Sequence, residues 1–152
     1  MRMLRNWCQR ARREDGTALI EAAFTLPIML LVCIGILEFG RAYQAWQVVT
    51  NASREGARVA VLPEYPDASV TNRVKTYLTN GGLESAAVTN TQVVITTTNI
   101  SVSGTVTAPA ASVRVEYPFQ FMVLGPIAQL VVKDSKAGEA FTMVATTVMR
   151  NE

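Results

Sequence analysis

The pattern of apolar and polar positions divides the chain into three regimes. From Thr17 to Leu37 the only charged residue is Glu21, and the next is Glu38. A helix of about 21 residues is roughly 31 Å long, which matches the hydrocarbon core of a bilayer. Between Phe24 and Leu37 the Ile, Leu, Val, Met and Phe residues fall on every helical face. That pattern fits a lipid-facing span better than a buried helix of a soluble protein. From Phe39 the pattern turns amphipathic. Phe39, Tyr43, Trp46, Val49, Val59 and Leu62 approximate an i, i+3, i+4 stripe, with Ala52, Gly56 and Ala57 as small contacts between them. The same helix is therefore expected to continue over 39–62 and to stop at Pro63. Tyr43 and Trp46 fall where an interfacial aromatic belt is expected. The stripe needs a partner, either the C-terminal region or a neighbouring copy.

The third regime begins at a two-proline linker, residues 63–67. Asp67 is placed to N-cap a second helix whose apolar face is Val70, Val74, Tyr77 and Leu78 and which ends at Asn80-Gly81-Gly82. Strand signals follow. Gln92–Asn99 and Ile100–Ala108 are rich in Val, Ile and Thr and predict a hairpin turning near Asn99. Val113, Val115, Tyr117, Phe119 and Phe121 alternate as a further strand, in which Pro118 suggests an edge or a bend. Met122–Val132 reads as a short helix or a covering loop, Lys133–Gly138 as a polar turn, and Ala140–Arg150 as a last strand. The region 63–152 is thus expected to be a small α+β domain, a helix packed on an antiparallel sheet of three to four strands.

Two residues interrupt the apolar run. A carboxylate deep in a bilayer costs about 2.5–3.5 kcal/mol on insertion scales, so Glu21 requires an explanation. Either it lies in the first helical turns and snorkels to the interface, or it meets a positive charge on another molecule. Pro27 has no N–H, so the carbonyl of Ala23 loses its helical donor and a kink is expected.

Charge adds direction. Of 152 residues 17% are charged, and the formal net charge is +2. Arg2, Arg5, Arg10, Arg12 and Arg13 all precede the apolar run. By the positive-inside rule residues 1–16 stay in the cytoplasm and the C-terminal domain lies outside it. The basic cluster is confined to this leader, so no nucleic-acid-binding face is expected. Cys8 lies in the leader and Cys33 in the apolar run, and neither can crosslink the exported domain. Between Gly35 and Gly40 there is no small-x-small site for signal peptidase, so the helix is expected to be retained.

The chain has no histidine, its exported carboxylates are scattered, and no glycine-rich phosphate loop is present. No enzymatic activity and no cofactor or metal is expected. The remaining motif is N-A-S-R-E-G-A-R over Asn51–Arg58. Arg54 and Arg58 are one turn apart, and Glu55 can pair with Arg58 at i, i+3. Gly56 costs close to 1 kcal/mol relative to Ala in a helix interior, which points to close approach of another backbone there. A solvated charged face with a tolerated glycine is the plainer account.

These stretches together resemble a known family. Gly16 before T-A-L-I-E, the apolar run with Pro27, E-F-G-R-A-Y-Q-A and A-S-R-E-G-A-R are similar to the TadE-like pseudopilins of the Tad (Flp) pilus system. The likeness is specific over roughly residues 14–60 and loose beyond. It departs from the family at Ser53, where a second alanine is common. The resemblance implies a pilin-like architecture with a prepilin-type leader, 1–16, and a transmembrane helix, 17–38. It implies cleavage by a prepilin peptidase between Gly16 and Thr17. Glu21 would then be the fifth residue of the mature chain, one turn from the new amine of Thr17, and could neutralise that amine on an adjacent subunit. The implied role is that of a minor pilin in the bacterial inner membrane, assembling a Tad-type adhesive pilus. Its partners would be the peptidase, other pilins, the inner-membrane assembly machinery and lipid. An unprocessed single-span protein whose exported domain binds a protein partner is the alternative.

Overall fold

The computed structural model describes residues 2–63, 66–103, 106–131 and 140–151, with side chains described from residue 16 onward except at 103, 106, 128, 130 and 131. The predicted polar turn over Lys133–Gly138 and the middle of the 63–67 linker lie outside the described residues. The chain divides into two compact units, Met1–Glu38 and Phe39–Glu152.

The first unit consists of helix α1, which runs Arg2–Ala60 and continues into the second unit. The leader backbone from Arg2 is therefore helical, and Pro27 lies inside the helix without ending it. From Leu19 to Leu37 the large apolar side chains other than the half-buried Ile34 are exposed, with Phe24 and Leu19 more than two-thirds so. From Gly16 onward this helix is long and apolar enough to span a membrane.

The second unit is a small α+β domain. Its elements are the end of α1, helix α2 (Asp67–Asn80), a single turn α3 (Ser85–Thr89), strands β1 (Gln92–Ser103) and β2 (Val106–Phe119), helix α4 (Leu124–Val131) and strand β3 (Phe141–Arg150). The three strands form one antiparallel sheet in the order β1-β2-β3. Alternation decides which face of β2 is buried. Val113, Val115, Tyr117 and Phe119 point inward, while Arg114 and Glu116 pair on the other face at 2.7 Å. Met143 and Ala145 of β3 stand opposite Tyr117 and Val115 and complete the inner face. Helix α2 covers this face with Val70, Val74 and Leu78, all at most 1% exposed. Full burial of such a side chain stabilises by roughly 1.5–3 kcal/mol, so these positions with Val49, Val113 and Val115 dominate the core.

Several expectations need correction. The strands do not turn near Asn99. Asn99 pairs with Pro109, and the register runs on to Ser103 opposite Val106. The segment read as Ile100–Ala108 is split between the end of β1 and the start of a longer β2. Pro118 does not place β2 at an edge, because β2 is central. The register nevertheless respects both prolines of this strand. Pro118 lies beyond the last β1 pair, Gln92 with Glu116, and Pro109 lies beyond the last β3 pair, Ala110 with Arg150. Each proline therefore sits where β2 has one neighbouring strand, so its missing N–H need not break a ladder on both sides.

Asp67 is not an N-cap. Pro66 holds that position without a side-chain cap, and Asp67 is the first helical residue, where the helix dipole favours a carboxylate. Tyr77 lies outside the buried face of α2. The end of that helix follows the expected glycines through two closing bonds, Gly82 N–H to the Thr79 carbonyl (3.0 Å) and Leu83 N–H to the Leu78 carbonyl (3.3 Å). Gly82 takes φ = 77°, where a side chain would be strained.

The largest revision concerns α1. Of the expected stripe, Val49, Ala52, Gly56 and Ala57 face the domain, joined by Ala45 and Ser53, whereas Phe39, Tyr43 and Trp46 are exposed. Small side chains let a helix lie close to two other layers, as at Gly56 beside Val74 and Val113.

Candidate functional site

Gly16, Thr17, Glu21 and Pro27 belong to the first unit. A Cβ at Gly16 would meet nothing within 4 Å, so no packing within this unit requires glycine there. Thr17 and Glu21 are four residues apart and so lie one above the other on the helix. Both are exposed, among the outward-pointing Leu19, Ile20 and Phe24. The Glu21 backbone carbonyl accepts a hydrogen bond from Thr25 Oγ1 at 2.8 Å. A carboxylate is thus displayed on an otherwise apolar surface. Pro27 is also exposed, about one and a half turns further on.

Arg54, Glu55, Gly56 and Arg58 belong to the second unit, near the end of α1. Glu55 reaches α2. Its Oε1 accepts from Arg73 Nε at 3.2 Å and from Nη2 at 2.7 Å. The expected i, i+3 partner, Arg58, stands further off, with Nη1 3.8 Å from Glu55 Oε2. The Arg73 hydrogen bonds hold the Glu55 carboxyl below the ordinary carboxylate range, and partial burial opposes them. Arg54 donates a long bond of 3.5 Å to Asn51 Oδ1 and, like Arg58, is exposed. The pair forms a positive ridge on the side of α1 opposite its buried stripe.

Gly56 makes the close approach its residue type suggested, but to side chains. A Cβ there would lie 2.6 Å from Val74 Cγ2 and 3.2 Å from Val113 Cγ1. Gly56 is therefore the point where α1, α2 and β2 converge. Beside it, Ser53 is fully buried. Its single proton goes to the Thr50 carbonyl at 2.8 Å, so the 2.8 Å contact with Thr147 is donated by the threonine hydroxyl. Arg73 and Thr147 were not legible as partners from sequence, because each lies in a different element and no local spacing links them to α1.

A cleft of about 210 Å³ opens on the second unit, lined by Arg41, Gln44, Glu84, Asn90 and Tyr117 among others. Burial pushes the Tyr117 phenol up, and a hydrogen bond to the Glu84 backbone partly offsets this. No three cysteine or acidic side chains come together among the described residues. The groups on display are instead a solitary carboxylate on an apolar helix and a compact helix–helix–sheet junction. Such features suit association better than bond-making chemistry.

Comparison with known proteins agrees with that character. Residues 16–58 match the model of the TadE-like protein family. The match begins at Gly16 and ends at Arg58, so it takes in the apolar run and the whole stripe that packs on the domain. The matched family is one of pilus components and is not known as enzymatic. No curated protein and no solved structure matches the chain significantly.

Proposed function

We propose that the chain is a minor pilin of a Tad-type adhesive pilus, processed by a prepilin peptidase and held in the bacterial inner membrane by the apolar part of α1. The TadE-like match over 16–58 carries this reading, because it starts at the glycine where the basic leader meets the apolar helix. Cleavage after Gly16 frees an amine on Thr17. In low dielectric that amine is costly without a counter-ion, and Glu21 of a neighbouring subunit supplies one. The pairing sets axial register between subunits as well as energy. The arginine-rich leader keeps the N-terminus cytoplasmic, so the α+β domain lies outside. Its partners are other pilins and the inner-membrane assembly machinery.

N-terminal sequencing of the membrane-extracted protein tests the processing step. Thr17 is expected as the first residue. Met1 would favour an unprocessed single-span protein, and a residue beyond Gly35 would indicate release by signal peptidase. Gly16→Leu should leave the protein at precursor size, since a pocket shaped for glycine excludes a branched side chain. Normal maturation of that variant would overturn the assignment.

A further inference from the structure

Three distant segments of the second unit bring phenyl rings to one place. Phe39 begins the unit, Phe121 follows β2, and Phe141 opens β3. Phe39 and Phe121 stack edge-on with centroids 6.2 Å apart, Phe121 and Phe141 lie 5.8 Å apart, and Phe119 stands behind both at 5.3 and 5.4 Å. This cluster is not closed over. Phe39 is 64% exposed, Met122 69%, Phe141 43% and Val123 40%. The polar Gln120 and Glu84 border it, and the Arg41 guanidinium lies 5.7 Å from the Phe119 ring centroid. Contiguous apolar surface with a polar rim marks an interaction site.

Chain connectivity indicates what covers it. Phe39 directly follows Glu38, the last residue of the apolar unit. On the membrane-anchored reading given above, on which this inference rests, Phe39 lies within a few ångströms of where the helix leaves the hydrocarbon. The interfacial layer there is about 5–8 Å deep and favours aromatic rings, with basic side chains reaching the phosphates. We propose that the Phe39, Phe121, Met122, Val123 and Phe141 surface seats the domain on the lipid interface of the membrane that anchors it, with Arg41 facing the lipid phosphates. The sheet end is then a second attachment to the bilayer, independent of the span.

Spin labels on the full chain in vesicles of mixed phosphatidylethanolamine and phosphatidylglycerol test this. Three single-cysteine proteins are needed. One keeps Cys33 with Cys8→Ser. The others carry Met122→Cys or Thr97→Cys with both native cysteines changed to serine. Met122 and Thr97 are exposed, so these replacements leave the core intact, and circular dichroism checks the fold. Relaxation by oxygen against a water-soluble nickel chelate reports depth. Labels at Cys33 and Met122 should both favour oxygen, and the label at Thr97 should favour nickel. If Cys33 is immersed while Met122 matches Thr97, the seating is wrong and the anchor stands. If Cys33 itself is water-accessible, the membrane reading fails first. Spin–spin broadening at Met122 that vanishes on dilution with unlabelled protein would mean a second copy covers the patch, which also overturns the proposal.

Discussion

At the scale of single residues, the pairing in the proposed pilin reading rests on Glu21. Glu21→Gln keeps the shape and lowers the cost of insertion, so a snorkelling carboxylate would tolerate it. A carboxylate that pairs with a neighbour's Thr17 amine would not, because breaking one side of a buried pair costs about 3–5 kcal/mol. The Gln variant is therefore expected to be made, inserted and cleaved, yet to fail in piliation and in co-purification with other pilins. Pilus counts alongside a processing assay check this, and wild-type piliation would sink the pairing. A second test concerns Ser53. Ser53→Ala and Thr147→Val should each cost roughly 1 kcal/mol, and the double variant less than the sum, since both remove one hydrogen bond. Thermal unfolding of the four proteins gives the cycle, and strict additivity would mean that the 2.8 Å contact contributes nothing. The charged residues of this motif and the Glu55–Arg58 pair were visible in sequence, but the closer partner of Glu55 was not. Glu55 was matched to Arg58 by helical spacing, whereas Arg73, on another helix, holds it more closely.

Between elements, two contacts fasten α1 to α2. At Gly56 a Cβ would press on Val74, a β-branched side chain with little freedom to turn away. Overpacking of about 1–3 kcal/mol should outweigh the roughly 1 kcal/mol that alanine contributes to helix propensity. Gly56→Ala is thus expected to lower the melting temperature, and a rise would show that the junction has slack. The Glu55–Arg73 pair makes the other fastening pH-dependent. Because the folded carboxyl titrates below its unfolded value, roughly 4.3, its contribution is present above that value and is lost as pH falls through the folded one. The pair is partly exposed, so at most about 1 kcal/mol is at stake. The stability gap between wild type and Glu55→Gln should close as pH falls below the unfolded carboxylate value and through the lower folded one; a constant gap would mean the carboxyl is not held by its charge. Helices and strands were legible as elements because their periodicities are local. The position of the hairpin turn was not, because Asn99 is a good turn residue by composition, while the cross-strand pairing that overrides it is spread over the whole of β1 and β2. The aromatic members of the α1 stripe were misassigned for a similar reason, while Val49, Ala52, Gly56 and Ala57 were placed correctly. Hydrophobicity favours Phe39, Tyr43 and Trp46, and only the tight space between three layers favours alanine, serine and glycine.

For the whole molecule, every residue of the hydrophobic core, from Ala45 to Ala145, belongs to the second unit. Residues 39–152 are therefore expected to fold in water without detergent and to melt in one cooperative transition. A broad, non-cooperative melt would show that the core depends on the apolar unit. The two units meet at Phe39, where the apolar pattern of the sequence changes from all-round to amphipathic. The turn α3 and the phenyl cluster were not legible in sequence, because one is too short to show a period and the other is assembled from three segments far apart in the chain.

Strand β1 leaves the molecule with a template. It is the outermost strand on its side of the sheet, twelve residues long, and carries neither charge nor proline. Protein edges are commonly blunted by lysine, proline or a bulge so that they cannot nucleate cross-β growth. In this chain the one register shift lies at the far end, between Ser101 and Ser103, and leaves the rest of the ladder regular. On the membrane-anchored reading, tethering would confine many copies to two dimensions, where such edges meet often. Concentrating the water-soluble fragment should therefore seed strand addition, read as dye-binding fibrils. Thr97→Lys, a charge placed on that bare edge, should delay their onset.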